Sequence, residues 1–158
     1  MEEQKALTYG EAREKALRLL EFRSHSEAEL SKKLIRAGAQ KADMEKLIAY
    51  LREYGLVDDE EYAKRAAKDL ASLKKFGRFR IRAELKNRGI ADEYIEEAMA
   101  ELDEKETDTD TLLPLVEKKL GGNFERKNIE KTVRYFSYRG YGYDDIKQCI
   151  EQLKEEQV

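Results

Sequence analysis

Apolar and polar positions alternate along this chain with the period of an α-helix, and one block of that alternation occurs three times. Met44, Leu47, Ile48 and Leu51 follow i, i+3, i+4, i+7 spacing, which marks one face of an amphipathic helix. Ile95, Ala98, Met99 and Leu102 repeat the block 51 residues later, and Ile146, Cys149, Ile150 and Leu153 repeat it after a further 51. Gly38, Gly89 and Gly140 precede the three stripes at the same offset of 51. Self-similarity at a fixed period predicts a repeat protein in which each unit is one supersecondary block.

Punctuation between the stripes divides each unit into three helices. Thr8 with Glu11 and Ser26 with Glu29 read as capping boxes. They open a helix ending near Arg23 and a second one closed by Gly38; the third runs over about 41–54. In the second unit Asp58 or Asp59 caps a helix that Gly77 breaks. A helix over about 78–88 follows, burying Ile81 and Leu85, then another over about 92–103. The third unit is less regular. Residues 103–111 are polar and acidic and read as a flexible link. Pro114 fits only a first turn, so the next helix is expected to start at about Thr109–Thr111. Helices over about 125–138 and 144–153 complete the unit. Residues 1–7 and 155–158 are expected to fray. The expected fold is all-α: three tandem three-helix repeats, helix-turn-helix-like, over 1–57, 58–104 and 105–158, in an elongated, curved array.

Composition narrows the function classes. Charged residues make up 41 %, there is one proline, and no strand-length run of alternating β-branched residues occurs. The single cysteine excludes an intramolecular disulfide and fits a reducing compartment. With no apolar leader and no apolar run near the ~20 residues a bilayer requires, a soluble cytoplasmic protein is expected. Catalytic chemistry finds no support. His25 lacks partners for acid–base work and reads as a turn residue. Cys149 is a stripe position, Asp58 and Asp59 are caps, and Gly121-Gly122 lacks the lysine and hydroxyl of a phosphate loop. No His/Cys cluster suggests a metal, and no cofactor is expected.

The net charge of −3 hides a strong asymmetry. Residues 74–88 carry Lys74, Lys75, Arg78, Arg80, Arg82, Lys86 and Arg88 against Glu84 alone, a net +6. Residues 92–110 carry ten acids against Lys105, a net −9. Arg78, Arg82 and Lys86, spaced by four, lie along one side of their helix and flank its apolar face. They form either a basic strip for phosphates or an acidic protein surface, or an ordinary solvated face. The acidic stretch can act as an intramolecular counterweight. Tyr135, Tyr138, Tyr141 and Tyr143 cluster with Arg134 and Arg139. Such rings can stack on bases. The favoured reading is that Tyr135 and Tyr138 wrap a small core while Tyr141 and Tyr143 staple a turn. Arg134, Arg139 and Tyr141 join the seven basic residues as candidates for the partner surface.

Specific segments resemble the RecX family, regulators of the RecA recombinase. The first unit reads Ala16-Leu17-Arg18-Leu19-Leu20, then Arg23-Ser24-His25-Ser26-Glu27-Ala28-Glu29-Leu30, Lys33-Leu34 and Gly38. The second reads Gly55-Leu56-Val57-Asp58-Asp59-Glu60-Glu61-Tyr62-Ala63, with Gly77, Arg80-Ile81, Glu84-Leu85 and Gly89-Ile90. The likeness covers about 8–155 and is weakest in the third unit. Two departures stand out: Arg78 where relatives often have proline, and Leu73-Lys74-Lys75-Phe76 where they usually carry arginines. The resemblance implies a monomeric, non-enzymatic regulator of DNA repair and the SOS response. Such a protein binds the RecA–DNA filament and most simply inhibits its recombinase, ATPase and coprotease activities, with weak contact to single- or double-stranded DNA. Two alternatives remain open: a direct DNA-binding helical module, and a helical-repeat scaffold for another protein.

Overall fold

A computed structural model describes residues 5–103 and 108–157. The described residues form helices α1 (Tyr9–Phe22), α2 (Glu27–Arg36), α3 (Lys41–Glu53), α4 (Asp59–Ser72) and α5 (Arg78–Asn87). They continue with α6 (Asp92–Asp103), α7 (Asp108–Leu120), α8 (Arg126–Tyr138) and α9 (Tyr143–Glu156). Both capping boxes are present: Thr8 accepts from the Glu11 amide and Ser26 from the Glu29 amide, and each glutamate returns the bond. Asp58 caps α4 through the Glu61 amide.

The three stripes face inward, and each triplet encloses its own core. Leu30, Leu34, Leu47 and Leu51 centre the first, with Ala12 and Ala16 from α1. Ile81, Leu85, Ile95 and Met99 centre the second, against the alanine face of α4. Leu112, Val116, Phe136, Ile146 and Cys149 centre the third. The extensive helix–helix packing falls within triplets: α4 on α6, α7 on α9, and α1 on α2. The chain accordingly exposes 10844 Å², against about 8200 Å² for a compact protein of this mass. Three small cores in place of one shared core add to that exposure.

Three expectations change at the edges of the fold. Lys5–Leu7 do not fray: the Leu7 amide donates to the Gly38 carbonyl (2.9 Å), in a short parallel bridge with Ala39. At the other end α9 runs through Glu156, because Ile150 and Leu153 carry its apolar face into the third core. Within the acidic stretch α7 begins at Asp108, so Pro114 lies in its second turn. Proline removes one backbone bond there, while buried Leu112 and Val116 on either side anchor the helix in the core. Residues 1–4, 104–107 and 158, the remainder of the segments expected to be flexible, lie outside the described residues.

Candidate binding surface at the joints between units

Neighbouring triplets meet end to end, and the two joints are related by the same 51 residues as the stripes. At the second joint the start of α5 lies on the end of α8. The Gly77 amide donates to the Arg139 carbonyl (2.8 Å), and the Phe79 amide to the Gly140 carbonyl (3.1 Å). At the first joint the start of α2 lies on the end of α5, and the Ser26 hydroxyl donates to the Arg88 carbonyl. Each joint sets a positive helix N-terminus against a negative C-terminus, a favourable pairing of helix dipoles. Glycine is required because the backbones touch. A Cβ on Gly77 would lie 2.5 Å from the Gly140 carbonyl carbon, and one on Gly89 would overlap the Ala28 methyl. Gly140 also adopts φ +100°, a region L side chains disfavour.

Side chains reinforce the first joint. Arg52 on α3 grips Glu27 through two nitrogens (2.8 and 3.0 Å), and the Glu27 amide donates to Asp59 (2.9 Å). Tyr62 on α4 donates to Glu29 (2.6 Å), and Arg88 donates to the Tyr62 oxygen (3.3 Å). Burial alone would raise the Glu29 pKa, but hydrogen bonds from Tyr62, the Ser26 amide and Arg23 outweigh it and hold the carboxylate ionised. Burial raises the pKa of Asp59, and the Glu27 amide offsets part of that shift.

The candidate basic residues separate into groups. Arg80 and Arg139 belong to the second joint. Arg80 donates to the Tyr138 carbonyl (3.2 Å) and pairs with Glu84 (3.4 Å), while Arg139 donates to the Lys74 carbonyl. Arg88 belongs to the first joint. Arg82 is paired with Glu96 on α6 at 2.8 Å, so the strip of Arg78, Arg82 and Lys86 is neutralised at its middle member. This contact is where the acidic helix acts as a counterweight. Arg78 is half-buried at the start of α5. Lys74, Lys75, Lys86 and Arg134 are exposed, and Lys75 turns the chain with φ +56°.

Tyr141 requires a correction. It is 4 % exposed and its hydroxyl donates to the Lys75 carbonyl (2.8 Å), so it staples the joint and offers no ring to a partner. Stapling is the place expected of Tyr141 as a turn residue, whereas Tyr135 and Tyr138 depart from theirs. Tyr135 and Tyr138 do not wrap the core: they are 42 % and 75 % exposed, because Phe136 between them takes the inward position on α8. Lys118 and Lys119 were missed. They line a groove of about 420 Å³ with Tyr135 and Arg139 of the same unit and with Lys75, which the joint brings to them. Among the described residues no group of His, Cys, Asp or Glu is arranged to hold a metal ion, and no helix is long and apolar enough to cross a membrane.

Fold and joints together define a tandem-repeat protein of three-helix, helix-turn-helix-like units. The family models for the first and second three-helix domains of RecX match residues 12–51 and 58–99. The regulatory protein RecX of Vibrio parahaemolyticus is 37 % identical over 142 residues, covering 88 % of this chain and 89 % of that one. That of Clostridioides difficile is 32 % identical over 148 residues, covering 92 % and 69 %. The crystal structure of RecX from Lactobacillus salivarius superposes with a TM-score of 0.78 at 21 % identity, over 92 % of this chain and 96 % of that one. The chain belongs to the RecX family of regulatory proteins.

Proposed function

We propose that this protein regulates a RecA-type recombinase by binding the recombinase–DNA filament, and that it acts as an inhibitor of recombinase, ATPase and coprotease activity. It does so in the cytoplasm as a monomer and by occupancy, without chemistry of its own, with 1–57, 58–104 and 105–158 as its working units. The observation that carries the reading is the pair of hydrogen-bonded joints, one made backbone to backbone and the other through Ser26 and Asp59. A row of like units held end to end presents spaced contacts to a ligand that is itself a repeating polymer. Exposed cations near the second joint (Lys74, Lys75 and Arg134) and at the end of α5 (Lys86) suit a ligand in which DNA contributes charge. The test is ATP hydrolysis by RecA on single-stranded DNA, titrated with this protein at moderate salt. Hydrolysis is expected to fall at protein concentrations that leave free DNA unbound. Undiminished hydrolysis, or a fall only where the protein coats bare DNA, contradicts the reading.

A further inference from the structure

Gly38, Gly89 and Gly140 close the middle helices α2, α5 and α8, and each has a segment of chain pressed against it. A Cβ on Gly140 would overlap Arg80 at the start of α5, and one on Gly89 would overlap Ala28 at the start of α2. Those two contacts are the joints, where a whole unit sits on the helix end. At Gly38 the contact is made by three residues. A Cβ there would lie 2.9 Å from the Lys5 carbonyl oxygen and 3.7 Å from the Leu7 side chain. The hydrogen bonding matches as well. The Leu7 amide donates to the Gly38 carbonyl (2.9 Å), as the Phe79 amide donates to the Gly140 carbonyl (3.1 Å) at the second joint. Gly38 and Gly140 stand two repeat periods apart. Lys5–Leu7 therefore fill, on the first unit, the seat that neighbouring units fill on the second and third.

This cover is slight. Lys5 and Ala6 are exposed, Leu7 is half-buried, and the pairing of Leu7 with Ala39 is an isolated bridge. The opposite half of a joint stands uncovered on the third unit. Glu125, Arg126 and Lys127 at the start of α8 are exposed, and the N-cap Glu125 makes no side-chain cap bond. α8 also begins three residues ahead of the position equivalent to Arg78 of α5, so its start projects about 4.5 Å further. The chain thus carries a helix end under a three-residue cover and a helix start facing solvent.

We propose that Lys5–Leu7 cap a docking seat for a second copy of this chain. With the segment lifted, the end of α2 receives the start of another copy's α8, as the ends of α5 and α8 receive the starts of α2 and α5. The pairing again sets a positive helix start on a negative helix end. Cations on both sides do not forbid it, because the second joint already holds Arg80 and Arg139 against the same Phe76 ring. The contact is head-to-tail and does not close on itself, so copies add in a row. The seated cap keeps the protein monomeric. Neither a recombinase nor DNA enters the test, so this inference and the regulatory reading can fail separately.

The experiment is sedimentation velocity of the full chain over a concentration series, comparing the wild type with Leu7→Pro. Proline lacks the amide that bonds Gly38, and position 7 lies outside α1. The wild type is expected to stay at its monomer mass of 18.5 kDa. The variant is expected to reach about twice that mass and then exceed it as concentration rises. Faster tryptic cleavage after Lys5 reports that the segment has lifted. Adding Arg126→Glu and Lys127→Glu sets negative charge against the carbonyl end of α2 and is expected to return the variant to monomer mass. Helicity by circular dichroism establishes that each variant is folded. The proposal is overturned if the folded Leu7→Pro chain stays monomeric, if cleavage after Lys5 does not accelerate, or if the wild type associates as strongly. Association that persists undiminished with the α8 start reversed overturns it too, since the contact is then not this joint.

Discussion

His25 fills the corner between α1 and α2 and is 2 % exposed. Its Nδ1–H donates to the Arg23 carbonyl (2.9 Å), and its Nε2 accepts from the Lys33 ammonium (2.8 Å). The bond from Lys33 requires the neutral ring, whereas the Nδ1–H can donate in either protonation state. Burial lowers its pKa, neighbouring Arg23 and Lys33 add to the depression, and the bond to Arg23 and the charge of Glu29 only partly oppose it. The folded state therefore holds this proton less tightly than the unfolded chain. The stabilising contribution is full above about pH 6.5 and is lost as pH falls through the lower folded value. Chemical denaturation at about pH 7.5 and 5.5 is expected to show a stability loss in the wild type that is smaller in His25→Gln. An equal loss in both would remove His25 from the acid response. The sequence places this residue correctly in a turn. It carries no sign of Lys33 closing over the ring, because that contact depends on how α2 folds back.

At the scale of elements, the helices were legible where local chemistry decides them. Ser26 with Glu29 marks a helix start, and the structure has that capping box. What the motif does not announce is that the same hydroxyl donates to the Arg88 carbonyl, 62 residues away. Ser26→Ala is therefore expected to cost more than a peripheral cap, about 2 kcal/mol in urea denaturation, since it removes the cap and strips a donor from a buried joint. A cost below about 0.5 kcal/mol would show the joint bond contributes nothing. The errors also fall at this scale. Tyr135 and Tyr138 looked like core aromatics because small units need apolar area, but Phe136 fills the inward position. Pro114 looked like a first-turn residue, yet core contacts from Leu112 and Val116 override the local preference. Lys118 and Lys119 carry no pattern that ties them to Lys75 or Arg139, which are distant along the chain.

For the whole molecule, the 51-residue offset made the units legible, while the joints left only a trace. Backbone-to-backbone bonds do not specify side chains. Gly77 and Gly140 mark the second joint and Gly89 the first, each where the chains approach too closely for a Cβ. Both joints nonetheless obey the same offset, Ser26 to Gly77 and Arg88 to Arg139, so the repeat governs the way units attach as well as the way they fold. If regulation depends on that attachment, it should be separable from folding. Gly77→Val makes the separation: Gly77 has an ordinary φ of −81°, and the atoms nearest an added Cβ are the Gly140 and Tyr141 backbone across the joint. The decisive measurement is suppression of RecA ATP hydrolysis by Gly77→Val beside the wild type, with helicity confirmed for both. We expect the folded variant to need at least about tenfold more protein for equal suppression, the loss from roughly 1.4 kcal/mol of misfit. Full potency in a variant whose joint is broken would contradict the account.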